Sequence, residues 1–551
     1  MRNIVLILFL CYLHVPVFSQ IIDYYDDIAE EVYRSYIHEG RMPTFYFAPL
    51  LPGDVLATLQ TIPLQVTQNM FTRQDGRSGA TLSVFAGASA QFFSQNVSVE
   101  NIEEGQANNA IDYIKNYLWQ PPMTGFSFEM FSKIGLGGGM LMEVNPRFDN
   151  DYFSTWNISD YIDKNFLQSG YVYFDNPYVS LLIGRVNTQM GLLYSDAIFF
   201  NNNIPYTDSA RLYIPFGKYF NFHWQIINIP AVESAYQQDV QTGNDFKSSS
   251  GDVLGSDYYY GFEDDDFPSI ILNMYQRFGF QNDFLRAGLA WNVFLVRRNN
   301  RFEFADFFPF AEWHATDVIP NNMSIGADFG IVPVKNLLLN VQLGFDEING
   351  NDIGIGDGDT PTIWSLIATM QNTVITNNFG ILFSTNIGYS HYLWGNFSGT
   401  SVLDATEANL AKALYRYNMQ SPMYMPFTSS YGPGALWFSL ESIITFSPYS
   451  SAKGLTLNPN ILVLLKESDT NLITTAYENR NEDVQNTLYF CLEAPVAYAW
   501  RTFDFSVTPS FHVKALSVST VTWFELKLSA TVYFSSSSYE KNGDVLFDFE
   551  Y

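Results

Sequence analysis

The sequence is poor in cysteine, in positive charge and in long apolar runs, and each shortage excludes a class of protein. Two cysteines occur among 551 residues. One of them, Cys11, falls in the first twenty residues, so the rest of the chain keeps Cys491 alone and has no internal disulfide. Lys and Arg number 28 against 56 Asp and Glu, giving a formal net charge of −28. That balance argues against a nucleic-acid partner, which demands a basic footprint. Charged residues amount to 15%, against roughly 25% in an ordinary soluble domain. No stretch beyond the N-terminus runs to 18 apolar residues, which rules out membrane-crossing helices on length. Histidine is scarce too: His38, His223, His314, His391 and His512 stand singly after His14. None has the i, i+4 spacing of a helical zinc site, and neither a Cys/His cluster nor a phosphate-binding loop nor a G-x-S-x-G elbow is present. The chain is therefore read as non-enzymatic and without metal or cofactor. A Ser–His pair across neighbouring strands is the one catalytic arrangement that spacing leaves open. His223 and His512 read better as ordinary inward polar residues.

What the chain has in plenty is aromatic: 17% of residues are Phe, Tyr or Trp. With a mean hydropathy of −0.03, this fits a barrel with one face in lipid and one in water. The N-terminus reads as a secretory signal over 1–19. Arg2 and Asn3 precede the apolar run Ile4–Leu13, and Val17 and Ser19 flank a cut before Gln20. Residues 20–75 form an N-terminal periplasmic segment, in which the acidic stretch Ile21–Tyr36 is helix-compatible.

The barrel is expected over 76–534. Phe503, Phe505, Val507, Phe511 and Val513 alternate with Asp504, Ser506, Thr508, Ser510, His512 and Lys514. Phe524, Leu526, Leu528, Ala530, Val532 and Phe534 alternate with Glu525, Lys527, Ser529 and Thr531. A period of two over ten or more residues is a strand between two environments, long enough for a tilted crossing of the apolar band. Phe220–Ile226 and Ile381–Ser390 repeat the pattern. So do segments near 80–95, 123–146, 170–200, 269–297, 302–316, 323–347, 362–375, 435–447, 456–466 and 486–500. From Thr360 to Leu403 no charged residue occurs, which predicts a hairpin turning near Thr376–Asn378. The fold class is an all-β transmembrane antiparallel barrel of about 14–18 strands, large enough for an aqueous interior. Trp394, Trp437, Trp500 and Trp523, near strand ends, are expected in interfacial aromatic girdles. Helical insertions are expected near 101–119, with Asn101 and Glu104 at capping spacing, and near 404–417, with Asp404 and Glu407 likewise. The tail 535–551 is either an extension or the final strand.

Period-two phasing places Asn221, His223, Gln225, Ser384, Asn386, Asp504, His512, Lys514, Glu525 and Lys527 in the lumen. Asp404, Glu407, Lys412 and Arg416 lie in a long connection that folds inward in the constriction reading and caps the surface in the bland one. The acidic runs Glu263–Asp266 and Asn351–Asp359 match no complete calcium loop and read as solvated external loops. Arg297, Arg298 and Arg301 read first as structural arginines paired with Glu303 and Asp306, and second as an anion or sugar-acid contact.

The segment Ser180–Leu212 resembles Wzi-type capsule-assembly barrels. Ile183, Gly184 and Arg185 match a strand ending in Gly-Arg, and Phe199, Phe200, Asn201, Asn202, Asn203 and Pro205 match a hydrophobic, then Asn-rich stretch. The family's Trp-Gly-Pro-Gly is missing, with Gly191 alone left of it. The resemblance implies a large barrel with periplasmic helices that holds surface polysaccharide at its outer face. The first expectation for function is a porin-like channel for small hydrophilic solutes, biased to cations by the negative charge. The second is a polysaccharide-binding or anchoring barrel without an open pore. Either sits in the outer membrane, in contact with its lipid and inserted by the barrel-assembly machinery; the number of copies that associate is left open.

Overall fold

The computed structural model describes residues 27–43 and 47–48. Between 79 and 550 it describes the strands named below, many of their tight turns, and the loop stretches 187–201, 391–395, 429 and 431–434. Among the described residues, eighteen strand positions follow one another around a closed antiparallel barrel. They are Gly79–Phe93 (β1), Phe126–Leu136 (β2), Met140–Val144 with Arg147–Phe148 (β3), Leu167–Asn176 (β4), Val179–Val186 (β5) and Thr207–Phe216 (β6). Phe220–Ile229 (β7), Ile270–Gln281 (β8), Leu285–Arg297 (β9), Asn321–Val334 (β10), Leu337–Glu347 (β11) and Ile363–Ile375 (β12) follow. Phe379–Ser390 (β13), Ala435–Phe446 (β14), Leu455–Leu457 with Asn460–Glu467 (β15), Asn486–Glu493 with Val496–Trp500 (β16), Phe503–Ala515 (β17) and Thr520–Lys541 (β18) complete the ring. β18 pairs with β1 from Gly79↔Tyr539 to Phe93↔Glu525, which closes it. Closure is what lets a sheet face lipid, because no backbone edge is left without partners.

Antiparallel order sorts the connections to two ends. The turns at 217–219, 282–284, 335–336 and 376–378 define a turn end, whereas 94–125, 187–206, 230–269 and 391–434 join strands at a loop end. The hairpin falls at Thr376–Asn378 as the uncharged stretch predicts. Alternation is visible side chain by side chain. On β10 and β11, Asp328, Gly330, Asn340 and Gln342 are buried, while Phe329, Leu339 and Val341 are exposed on the outer face. Phe505 and Phe511 are likewise exposed, so the apolar positions of the alternation are the outside of the cylinder.

Several sequence expectations need correcting. Trp394, Trp437 and Trp523 do not form girdles; they are buried on the inner side. Space decides this: Trp394 lies against Gly344 and Trp437 against Gly388, where any side chain would collide with the indole. The exposed aromatic belt at the turn end is made instead by Tyr178, Phe216, Tyr219, Phe220 and Phe284. Leu414–Tyr417, expected as the end of a helix, is a short strand paired with Met423–Pro426. β18 does not stop at Phe534 but runs to Lys541, and Asp544–Glu550 (β19) turns back along Ser535–Lys541. The N-terminal helix spans Asp27–Glu39 (α1) and so runs past the end of the acidic stretch that announced it; residues 21–26 lie outside the described residues. The signal, the helix at 101–119 and the acidic runs at 263–266 and 351–359 lie outside the described residues, as do Arg298 and Arg301.

Candidate functional site

The lumen is occupied from both ends. α1 enters at the turn end, and its apolar face (Val32, Tyr33, Tyr36 and Ile37) is buried. It is tied to two of the turns. Asn336 N–H donates to the Ile37 carbonyl (2.8 Å), His38 Nδ1 lies 2.6 Å from Asn336 Oδ1, and Met42 N–H donates to the Asp283 carbonyl (2.6 Å). Gln281 adds a bond to the carbonyl of Pro43 (3.1 Å).

From the loop end, residues 187–201 fold inward between β5 and β6. The base of this loop is fixed by the Gly184–Arg185 pair of the sequence resemblance. Gly184 sits at φ +143°, a conformation that side chains disfavour. Arg185 grips Asp208 on β6 through two bonds (2.6 and 2.8 Å). Thr188 bonds Gln225 (3.2 Å) and lies 3.0 Å from the Thr207 hydroxyl. Ile198 N–H donates to Gln342 (3.2 Å), and Asn201 reaches back to Asp196. Phe199 wedges between Tyr275 (5.9 Å) and Trp394 (6.1 Å) in the space left by Gly326. Asn202, Asn203 and Pro205 lie outside the described residues.

Helix and loop meet in mid-lumen. Leu192, Leu193 and Tyr194 pack on Val32, Tyr33, Tyr36 and Ile37, with Val332, Leu338 and Leu382 of the wall closing one apolar cluster. The Tyr33 and Tyr194 rings touch edge to face at 5.2 Å. Phe47–Ala48 pairs as a strand with Gln189–Met190, so the segment after α1 is also joined to the loop. Burial pushes the Tyr33 phenol well above the ordinary tyrosine range, which keeps it a donor. Above this cluster the stretches 391–395 and 431–434 cover the loop end. Gly434 N–H donates to the His391 carbonyl (3.2 Å), Lys466 Nζ bonds the carbonyls of Tyr431 (2.9 Å) and Pro433, and the Tyr431 ring meets Trp437 at a tilt (5.2 Å, 58°). Tyr431 is held well above its usual range, chiefly by burial and then by Asp196 and Glu441.

Among the lumen candidates of the sequence reading, His223, Gln225, Ser384, Asn386 and His512 are buried. Asn386 links Thr369 (2.8 Å) to Ser439 (3.1 Å), and Asn221 accepts from Arg277 (3.3 Å). Near the loop end His512 stacks on Trp523 (4.6 Å, 4°), meets the Tyr489 hydroxyl at Nδ1 (2.7 Å), and has Ser510 (2.9 Å) and Glu525 (3.6 Å) at Nε2. A Ser–His contact thus exists, but the acid and the serine face the same ring nitrogen, unlike a hydrolytic triad. Toward the turn end the same wall is open: Asp504, Ser506, Thr508 and Ser529 are half-buried and Lys527 is exposed. Among the described residues the plug leans on the wall from β6 to β14, and the inner wall of β17 and β18 toward the turn end is half-buried to exposed. Asp404, Glu407 and Lys412 lie outside the described residues; Arg416 is on the short strand Leu414–Tyr417.

Phase alone missed the residues that organise the lumen. Arg277 donates to Asp328 through Nε (2.7 Å) and Nη2 (2.9 Å), and Arg286 approaches the same carboxylate at 3.9 Å while bonding Asn340 (3.2 Å). Inward glycines are the signal that was available. Gly279 and Gly288 provide the space in which the Arg277 guanidinium lies.

Neither a family model nor a curated protein matches the chain. Solved structures do. The chain is similar to Wzi of Escherichia coli, an outer membrane protein involved in group 1 capsule assembly and described as a carbohydrate-binding β-barrel. The identity is 8% and the TM-score 0.52, over 94% of this chain and 99% of that one. Pseudomonas aeruginosa OccK5 (OpdH) matches less well, with 8% identity, TM-score 0.39, and 83% and 98% of the two chains. OccK2 (OpdF) in complex with glucuronate gives the same four values. At this identity the likeness to Wzi establishes the fold, which is that of a bacterial outer-membrane β-barrel.

Proposed function

We propose that this chain is an outer-membrane barrel with a closed lumen that holds surface polysaccharide at its loop end. The plug carries this reading: a helix from one end and a loop from the other meet in an apolar cluster where an open pore would need water. The carbohydrate binding and capsule role described for Wzi support the ligand class, as does the Ser180–Leu212 resemblance, whose Gly184, Arg185 and Asn201 build the inward loop. By the usual rule of short periplasmic turns and long external loops, α1 faces the periplasm and the loop end the outside. The partners are outer-membrane lipid around the apolar belt, the assembly machinery that inserts it, and the polysaccharide. The role is binding, not catalysis.

One observation favours a channel instead. The accessible inner wall of β17 and β18 carries Asp504 and Lys527, with Glu525 18% exposed farther in. Planar-bilayer recording of the purified full chain decides between them. A silent barrel that retains capsular polysaccharide on an immobilised-glycan surface supports the proposal. Steady conductance with cation preference, and no glycan retention, overturns it.

A further inference from the structure

Plugging alone does not require that the two halves of the plug depend on each other. The structure makes them do so at one side chain. Gln371, buried on β12, accepts the Tyr33 hydroxyl at Oε1 (2.6 Å). Its Nε2 donates to the carbonyls of Leu193 (3.0 Å) and Tyr194 (3.2 Å), and to Ser384 Oγ (3.0 Å) on the next strand. One amide thus bridges helix, loop and wall. Tyr194 stands at φ +58°, an uncommon backbone conformation for a residue with a side chain, and its ring rests on Tyr33. The Phe47–Ala48 ladder adds a second tie, through backbone bonds to Gln189 and Met190. The apolar cluster draws residues from both halves, so removing either one strips cover from the other.

We propose that α1 and the inward loop 187–201 open and close as one body, so that displacing the loop at the loop end frees the helix at the turn end, and the reverse. The barrel then transmits an event at its outer surface to its periplasmic side without an open path. This rests on the closed-lumen reading and adds a coupling that reading does not require. Coupling of this kind is reciprocal, which supplies the test.

Hydrogen exchange of the full chain in detergent micelles is followed by mass spectrometry under sub-denaturing urea. If the two halves are one cooperative unit, amides of 32–37 and 192–195 exchange through a common opening, and their rates converge with the same urea slope. Diverging slopes overturn the proposal. Phe199→Ala disturbs the loop where it touches Tyr275 and Trp394, away from the helix. It is expected to speed exchange in 32–37 by about tenfold, in step with 192–195, while β12 stays protected. A rise confined to the loop overturns the proposal. If Phe199→Ala fails to give the folded band in unheated gels, Phe199→Leu takes its place, and the wild-type urea series stands without any variant. Bilayer conductance is independent of these rates, so failure of the closed-lumen reading is told apart from failure of the coupling.

Discussion

Replacing Asp328 by alanine probes the wall against which the plug leans. Asp328 takes two bonds from Arg277 and faces Arg286, and the side chains of the three are 5%, 2% and 1% exposed. Two guanidinium groups share one carboxylate, and the alanine variant strips both of that counter-ion. Breaking a buried ion pair by removing one partner costs about 3–5 kcal/mol. Counting bonds gives a similar figure, since each hydrogen bond to a charged group contributes about 1.5–3 kcal/mol and two are lost. Urea unfolding in lipid vesicles, followed by tryptophan emission, should show stability reduced by about 3–5 kcal/mol with an unchanged urea slope. Asp328→Asn, which keeps one acceptor of the right shape, should fall between. Combining Asp328→Ala with Arg277→Met removes one of the stranded cations and should recover part of the loss, the signature of coupled residues. A loss below about 1 kcal/mol, or a double variant no better than the single, would refute the idea that this carboxylate neutralises the wall.

Two other substitutions test the two faces of the cylinder. Val341 is 39% exposed at mid-strand on the outer face. Val341→Arg should cost about 2–4 kcal/mol in the same unfolding assay, whereas Lys527→Gln on the inner wall should change stability little; equal effects would contradict the assigned sidedness. Gly388→Ala drives a methyl into the Trp437 indole. It should destabilise by about 1–3 kcal/mol and shift tryptophan emission to the red, and an unchanged spectrum would show that the ring does not lie where described.

How much of this was written in the sequence depends on the residue. Strand phase was legible because one face meets lipid and the other polar side chains, so Phe505 and Ser506 declare opposite environments without further context. The hairpin at Thr376–Asn378 was legible for the same reason. Sidedness of tryptophan was not. An indole suits an interface and a packed lumen equally, and only the glycine on the facing strand, Gly388 for Trp437 or Gly344 for Trp394, decides between them. The plug was half legible. The resemblance at Ser180–Leu212 singled out the loop, and the acidic stretch announced a helix, but nothing in either implied that they meet. Gln371 is a single amide in an uncharged strand, and its importance arises from partners 338 and 178 residues away. Arg277 and Asp328 are likewise separated by 51 residues, and their pairing follows from strand register, which local pattern does not fix.

The helix is synthesised and secreted ahead of every strand that receives it. Its berth beside Leu338, Gln371 and Leu382 exists only after β11, β12 and β13 have paired, by which time most of the polypeptide has been delivered. During that interval Val32, Tyr33, Tyr36 and Ile37 present a sticky stripe with nothing native to cover it. Docking of α1 is thus a late step of biogenesis, and a cylinder that seals before the leader segment has threaded it would be trapped empty.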